Sequence, residues 1–339
     1  MLDFLSYSIE ELEDLLKNLG ESAYRAGQIF AWLHRGAYGF DEMTDLPAAL
    51  RAKLEQNYSI NPPVILKKLV SSLDETTKYL IQLSDKQCIE AVIMKYSHGN
   101  SVCISSQAGC KMSCAFCASK ENGFSRSLTA GEMLSQVIFL EKDYGEKISN
   151  IVVMGIGEPL DNFENTVKFL KLVSHPKGIN IGQRHISVST CGIVPQIYKL
   201  ADLKFQITLS VSLHAPFDSI RNQIMPVNRA YNIEELMCAC KSYIKSTGRR
   251  ISFEYILIEG LNDTKECALK LVRLLKGMLC HINLIPVNAV AETGFNPPGA
   301  LKINEFASLL QKNGVNCTVR RTLGKDINAS CGQLRKINL

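Results

Sequence analysis

Residues 101–117 read Ser101-Val-Cys-Ile-Ser-Ser-Gln-Ala-Gly-Cys110-Lys-Met-Ser-Cys114-Ala-Phe-Cys117. The run to Ser106 has the composition of a short buried strand, and a C-x3-C-x2-C loop follows it. From here onward strand-like and helix-like stretches alternate. The strand-like runs are 101–106, 150–154, 185–190, 206–213, 251–258 and 281–287. Helical periodicity falls at 129–144, 164–173, 194–203, 233–245, 264–275 and 303–312, and a further strand at 316–321 closes the series. Six βα units at this spacing predict an α/β fold, with parallel strands and helices outside them. A partial barrel and a doubly wound sheet satisfy the periodicity equally. In both, chemistry sits at the carboxyl ends of the strands, so the segments after Ser106, Met154, Thr190, Leu213 and Val287 should share one site.

Upstream the pattern differs. Ser8 with Glu11 forms a capping box before Leu12, Leu15 and Leu16, a second helix runs from about Ser22 to Gly36, and a third covers 47–56. Asn61-Pro62-Pro63 breaks the helical region, and 64–96 reads as short hairpins. The expected division is therefore a helical unit at 1–60, a β-hairpin connector at 61–98 and a catalytic unit at 99–339. Residues 1–60 hold 5 basic and 10 acidic side chains, and the rest 33 basic and 23 acidic, so a net charge of +5 conceals an acidic front and a basic remainder. The basic part suits a polyanion such as nucleic acid, or an ordinary enzyme surface. No basic, apolar leader and no run of membrane-spanning length is present, so a cytoplasmic protein is expected. In that compartment its 12 cysteines should not form a permanent disulfide framework.

Three thiolates on the compact loop Cys110–Cys117 can hold three irons of a 4Fe–4S cluster and leave the fourth iron open. A structural zinc site would want four ligands, usually in two pairs, and Cys103 is poorly spaced to complete one. After the next strand comes Gly155-Ile-Gly157-Glu158-Pro159. As a dinucleotide fingerprint it fails, because the sixth position is Leu160 and Pro159 stands where a helix should open.

The C-x3-C-x2-C loop and this glycine segment resemble the radical S-adenosylmethionine (SAM) superfamily. The resemblance narrows with Glu90-Ala-Val92, Cys103 through Cys110, Arg126-Ser-Leu-Thr-Ala-Gly-Glu132, Ser189-Thr-Cys-Gly-Ile-Val-Pro195, Ser212-Leu-His214-Ala-Pro216 and Asp326-Ile-Asn-Ala-Ser-Cys331-Gly-Gln-Leu334. These, with Tyr24-Arg-Ala-Gly-Gln-Ile-Phe-Ala-Trp32, stand in the order and spacing of the RlmN family, over essentially the whole chain. The resemblance implies a partial (βα)6 radical-SAM barrel with a small N-terminal helical domain. It also implies methyl transfer to C2 of adenine in 23S rRNA and at adenosine 37 of some tRNAs.

Adenine C2 lies between two ring nitrogens and is too electron-poor to attack a sulfonium methyl, which is why a carbon radical is needed. The resemblance implies one 4Fe–4S cluster on Cys110, Cys114 and Cys117, and two molecules of S-adenosylmethionine per turnover. It assigns the methyl carrier to Cys331, the thiol that releases product through a transient Cys103–Cys331 disulfide to Cys103, and the base to Glu90. It assigns cofactor contacts to Gly157, Glu158, Ser189, Ser212, Leu213, His214 and Asn288. Glycine lets the backbone approach closely, and Glu158 can accept from an ammonium. A low-potential electron donor such as flavodoxin or ferredoxin, a disulfide reductant and a monomeric state complete the expectation.

Cys88, Cys191, Cys238, Cys240, Cys267, Cys280 and Cys317 match no proposed role and are expected to be structural. Arg249-Arg250, Arg320-Arg321 and Arg335-Lys336 are basic pairs of the kind that usually form solvated faces, and Arg25, His34 and Arg35 are a candidate patch for RNA. Three details depart from the family pattern. Ile156 stands where methionine is usual, Ser330 replaces alanine, and Met94-Lys95-Tyr96 also occurs in the related Cfr enzymes, which methylate C8. Pro159 and Gly123-Phe124-Ser125-Arg126 favour C2. A non-enzymatic zinc or Fe–S RNA-binding protein is the rival from another class, separable by iron analysis and a deoxyadenosine assay.

Overall fold

Ten strands form the central sheet of a computed structural model that describes residues 2–121, 123–288 and 294–334. Arg335 and Lys336 lie outside the described residues. The strands are β1 (Val64–Val70), β2 (Thr77–Gln82), β3 (Cys88–Tyr96), β4 (Gly99–Cys103), β5 (Ile148–Val153), β6 (Ile186–Thr190), β7 (Thr208–Ser212), β8 (Ile251–Leu257), β9 (Cys280–Pro286) and β10 (Cys317–Val319). Their order in space is their order in the chain. Strands β1 to β4 pair antiparallel, and β4 to β10 pair parallel.

That order decides between the two architectures. A doubly wound sheet reverses direction at a switch point, whereas here every crossover advances to the next neighbour. Right-handed crossovers that always advance place their helices on one face, and the sheet curls into an incomplete barrel. The hairpins β1–β3 are continuous with it, because β3 pairs with β4 and sets Val92 opposite Cys103.

Helices α1 (Ile9–Asn18), α2 (Arg25–His34) and α3 (Ala48–Asn57) precede the sheet. The crossovers carry α4 (Ala130–Tyr144), α5 (Phe163–Val173), α6 (Val194–Asp202), α7 (Asp218–Ile224), α8 (Ile233–Thr247), α9 (Lys265–Leu275) and α10 (Ala300–Lys312). Local chemistry explains several ends. Capping boxes at Ser8/Glu11, Thr129/Glu132 and Asn232/Glu235 start α1, α4 and α8, each cap worth about 1 kcal/mol. Gly145 and Gly248 stop α4 and α8 in the left-handed conformation. Helix α7 was not expected; its seven residues are too few to show a period. Among the described residues no helix is long and apolar enough to cross a membrane.

The N-terminal helices are fused to the barrel rather than tethered to it. Phe4, Leu12, Leu16 and Ile29 are fully buried in the same apolar core as Leu134 and Leu170 of α4 and α5. Gly131, in the first turn of α4, admits the N-terminal chain closely: its amide donates to Ser6 Oγ at 2.9 Å, and a Cβ there would meet the Ser6 amide nitrogen at 2.8 Å. Lys168 pairs with Glu11 at 2.6 Å across the same junction.

At the other edge, β1 exposes Val64, Leu66 and Val70, has Lys67 and Lys68 at its centre, and carries a register shift between Ile65 and Lys67.

Asp3 makes the junction sensitive to pH. Burial, with the nearby Glu132 carboxylate adding to it, raises its carboxyl from 3.8 to about 7. The folded state therefore binds a proton that the unfolded chain releases, and the stabilisation, complete below the ordinary value, is lost as pH rises through about 7. The melting temperature should fall between pH 4 and pH 7.5 relative to Asp3→Asn; parallel curves for the two proteins would contradict this.

Candidate active site

The carboxyl ends of β5 to β9 surround a cavity of about 160 Å³. Its walls include the Cys110, Cys114 and Cys117 loop, Gly155 to Pro159 after β5, Ser189 and Cys191 at the end of β6, Ser212 and His214 at the end of β7, and Glu254 on β8. The sequence-derived cluster loop and most of the expected cofactor contacts thus converge.

The glycines serve packing. A Cβ at Gly155 would meet the Ile104 carbonyl oxygen at 2.7 Å, and one at Gly157 would meet the Gln107 amide nitrogen at 2.8 Å. Gly157 also has φ +106, which only glycine adopts readily. Close approach to the strand before the cysteine loop, rather than to a ligand alone, therefore fixes both positions. Glu158, 3% exposed, accepts from the Leu160 amide at 3.0 Å and the Cys191 amide at 2.7 Å. Burial raises its carboxyl above the ordinary value. The Cys191 and Thr190 side chains bond to it as well, and the carboxylate lies in the cavity wall, where it is the acidic group nearest the glycine turn.

His214 is held in one tautomer. Its Nδ1 accepts from the Ile256 amide at 3.0 Å, so Nε2 carries the hydrogen. Burial and the charge of Arg221 lower it to about 3, and it works as a neutral ring. The ring meets Phe116 of the cysteine loop edge-on at 4.9 Å. Leu213 does not line the cavity. Its side chain is fully buried, and its amide and carbonyl bond to Glu254 and Arg221.

The donor set fits an iron–sulfur cluster. Burial raises the Cys110 thiol to about 12 and pushes Cys114 and Cys117 up as well, each thiol opposing ionisation of another. Three desolvated thiols become thiolates only where enough positive charge shares the cavity, and the irons of a cluster would supply it. Among the described residues no three His, Cys, Asp or Glu side chains are grouped to hold a single ion; the thiols surround a space, not a point.

A second cavity adjoins the first, with Met154, Ile285, Arg320 and Cys331 in the walls of both. Cys103 and Asn288 line only this one. Asn288 donates to the Cys331 carbonyl at 2.9 Å, so it holds the thiol segment rather than the cofactor cavity. Burial, then the neighbouring Cys331, raises the Cys103 thiol to about 12. The volume here is about 30 Å³, room for one water and far too little for a purine.

Glu90 lines neither. On β3 it lies on the same face as Val92 and Met94 of the second cavity, but it opens to a third beside Lys78, with a 2.7 Å ion pair between them.

Sequence reasoning missed several residues. Arg320, expected in a solvated pair, forms the wall between the first two cavities, with Nη1 4.0 Å from Glu254 Oε2. Cys191, expected to be structural, lines the first cavity, and Cys238 is exposed rather than packed. His34 is 6% exposed, stacked near Phe30 and accepting from the Ile179 amide at 3.3 Å; burial lowers it to about 3, which removes it from any RNA-binding patch. Arg221, fully buried on the unforeseen α7, gave no signal of any kind.

Residues 104–273 match the radical SAM superfamily, and residues 2–60 match the ribosomal RNA large subunit methyltransferase N-terminal domain. A probable dual-specificity RNA methyltransferase RlmN of Alkaliphilus oremlandii is 52% identical over 338 residues, covering 100% of this chain and 98% of that protein. A protein of the same description from Clostridium novyi is 49% identical over 337 residues, covering 99% and 98%. The crystal structure of a radical SAM methyltransferase from Sphaerobacter thermophilus superposes with a TM-score of 0.94 at 43% identity, covering 98% of this chain and 99% of that one. With the cysteine loop, the strand-end cavity and full-length similarity in agreement, the chain belongs to the RlmN family of the radical SAM superfamily.

Proposed function

We propose that the protein methylates C2 of adenine in 23S rRNA and at adenosine 37 of some tRNAs, with Cys331 as the methyl carrier. The observation that carries this reading is the position of Cys331 in the shared wall of two cavities. One holds the three cluster thiols, and the other holds Cys103. A thiol so placed can receive a methyl group on one side and present it on the other. The names of the relatives, which describe RNA methyltransferases, and the basic charge beyond residue 60 support RNA as the substrate.

Bound at Cys110, Cys114 and Cys117, the cluster with S-adenosylmethionine supplies a carbon radical, and a second S-adenosylmethionine supplies the methyl group. The chain's own residues then divide the remaining work. Glu158, Ser189, Ser212 and a neutral His214 orient the cofactor, and the buried walls keep a reactive radical from side reactions. Glu90 would accept the C2 proton as the radical adduct gives up its unpaired electron, for which the oxidised cluster would be the one-electron acceptor. The Cys103 thiolate attacks the Cys331 sulfur of the RNA adduct: an S–S bond forms, the C–S bond breaks, and its electron pair leaves on the product carbon, which takes a proton. Arg320, between the two thiols' cavities, favours the thiolate that burial opposes. A dithiol reductant resets the pair, and a flavodoxin- or ferredoxin-type donor supplies the electron. A monomer in the cytoplasm is the setting that fits these partners.

Anaerobic reaction with 23S rRNA fragments and with tRNA, followed by nucleoside mass spectrometry, should give 2-methyladenosine. C8-methyladenosine as the only product would overturn the choice of carbon, and a protein that binds iron yet never yields deoxyadenosine would overturn the enzyme.

Cys103→Ala should accumulate an RNA–protein crosslink with product formation down at least about a hundredfold, a loss of roughly 2.7 kcal/mol in barrier terms. Cys331→Ala should assemble the cluster and lose RNA methylation. Normal turnover by either variant removes that residue from its role.

A further inference from the structure

Lys78 on β2 is 8% exposed, and its ammonium is bonded in two directions. It lies 2.7 Å from Glu90 Oε1 and donates at 3.0 Å to the Asn328 carbonyl. Glu90 stands on β3, the strand whose Val92 and Met94 wall the Cys103 cavity. Asn328, in the left-handed conformation with φ +51, lies in the segment that carries Cys331. One buried cation therefore joins the carboxylate strand to the thiol segment.

That segment has little regular structure beyond a single turn at Lys325–Ile327 and is held by discrete bonds. On the hairpin side, Ser71 Oγ donates to Asp326 at 2.7 Å, the Ser72 amide donates to Asp326 at 2.9 Å, and the Gly324 amide donates to Asp74 at 2.9 Å. On the barrel side, the Cys331, Gly332 and Leu334 carbonyls accept from Asn288, the Ala118 amide and Ser119. Of these bonds, the one through Lys78 ends on a proposed catalytic group. The pocket must also open: the cavity between Cys103 and Cys331 holds about 30 Å³, so a purine enters only when one of its walls moves.

We propose that Lys78 is a positioning residue that couples the charge on Glu90 to the docking of the Cys331 segment. While Glu90 is ionised, the ammonium is anchored and the Asn328 carbonyl is held. When Glu90 has taken a proton, the charge-assisted bond loses its anion, and a bond of that kind is about twice as strong as its neutral counterpart. Lys78 then holds the segment less tightly, and Cys331 is released as the proton transfer completes. The proton comes from adenine C2 and rests on the Glu90 oxygen; no electrons pass through Lys78. Among the described groups that share the Glu90 cavity of about 200 Å³, Lys67 carries the other charge, while Asn328 and Gln333 are neutral. Lys67 is exposed, so solvent screens it and the Lys78 pair dominates.

The inference rests on reading Glu90 as the base, and the test separates the two. Hydrogen exchange of the full-length protein is followed by mass spectrometry on peptides within residues 324–334. Glu90→Gln removes the charge and keeps the side chain. Lys78→Met/Glu90→Gln leaves no unpaired buried charge, which Lys78→Met alone would leave at a cost of about 3–5 kcal/mol. Both variants should exchange about tenfold faster across 324–331, with β8 and β9 unchanged, and the double variant should be no faster than the single one. Lys78→Arg, which retains the cation, should stay near the wild type. Wild-type exchange in Glu90→Gln, or effects that add in the double variant, overturns the coupling. A Glu90→Gln protein that turns over RNA normally removes Glu90 as the base, whatever the exchange shows.

Discussion

A guanidinium with no water around it organises the carboxyl ends of the barrel. Arg221 is 0% exposed, and burying a charge costs several kcal/mol unless its donors are met. Four bonds meet four of its five N–H donors: to the carbonyls of Leu213, Ser212 and Cys191 and to the Asn228 side chain, at 3.0, 3.0, 2.7 and 2.9 Å. These carbonyls belong to the segments after β6 and β7. The loops that bear Cys191, Ser212 and His214 are thus fastened to one cation, and burial, then that cation's charge, keep His214 neutral. Asn262 repeats the device on the other side, donating to the His214 and Ile256 carbonyls at 2.7 and 2.6 Å. These irregular-backbone carbonyls are bonded within the protein rather than to solvent, which restrains the loops that wall the cavity.

Rigidity on one side is matched by a removable wall on the other. Three cavities lie along the inner face of the sheet: the cluster thiols, the Cys103 pocket and the Glu90–Lys78 pocket. The segment around Cys331 contributes to all three, through Cys331 in the first two and Asn328 in the third. A chain that must visit two sites is better held by a handful of hydrogen bonds than by a strand or a buried helix face. Burial of Cys103 keeps its thiol protonated at rest, so the attack proposed for it needs a change in its surroundings.

The parallel strands were legible because strands covered on both sides read as largely apolar runs, as in Ile251–Leu257, where all seven residues are buried. The first helix cap was legible because Ser8 has glutamate three positions later, and Thr129 and Asn232 turn out to carry the same signal. Periodicity did not separate a barrel from a doubly wound sheet, since strand order is a matter of long-range pairing. It also says which residues face inward, but not which cavity they face. Glu90, Asn288 and Leu213 each fell outside the cavity that a single-site reading would give them. Arg320 and His34 were misread for a related reason: sequence shows that a residue is charged or titratable, while its burial depends on neighbours a hundred or more positions away, such as Cys103 for Arg320 and Ile179 for His34.

The open barrel leaves β1 at an edge, and this has a consequence for life at high concentration. A seven-residue edge strand with Val64, Leu66 and Val70 exposed offers unpaired backbone to any other extended chain. Lys67 and Lys68 interrupt the apolar run, and the register shift beside them bends the strand away from a flat template. Two lysines and a bulge thus act as gatekeepers, letting an unclosed sheet remain dispersed in a crowded solution instead of seeding aggregates through its rim.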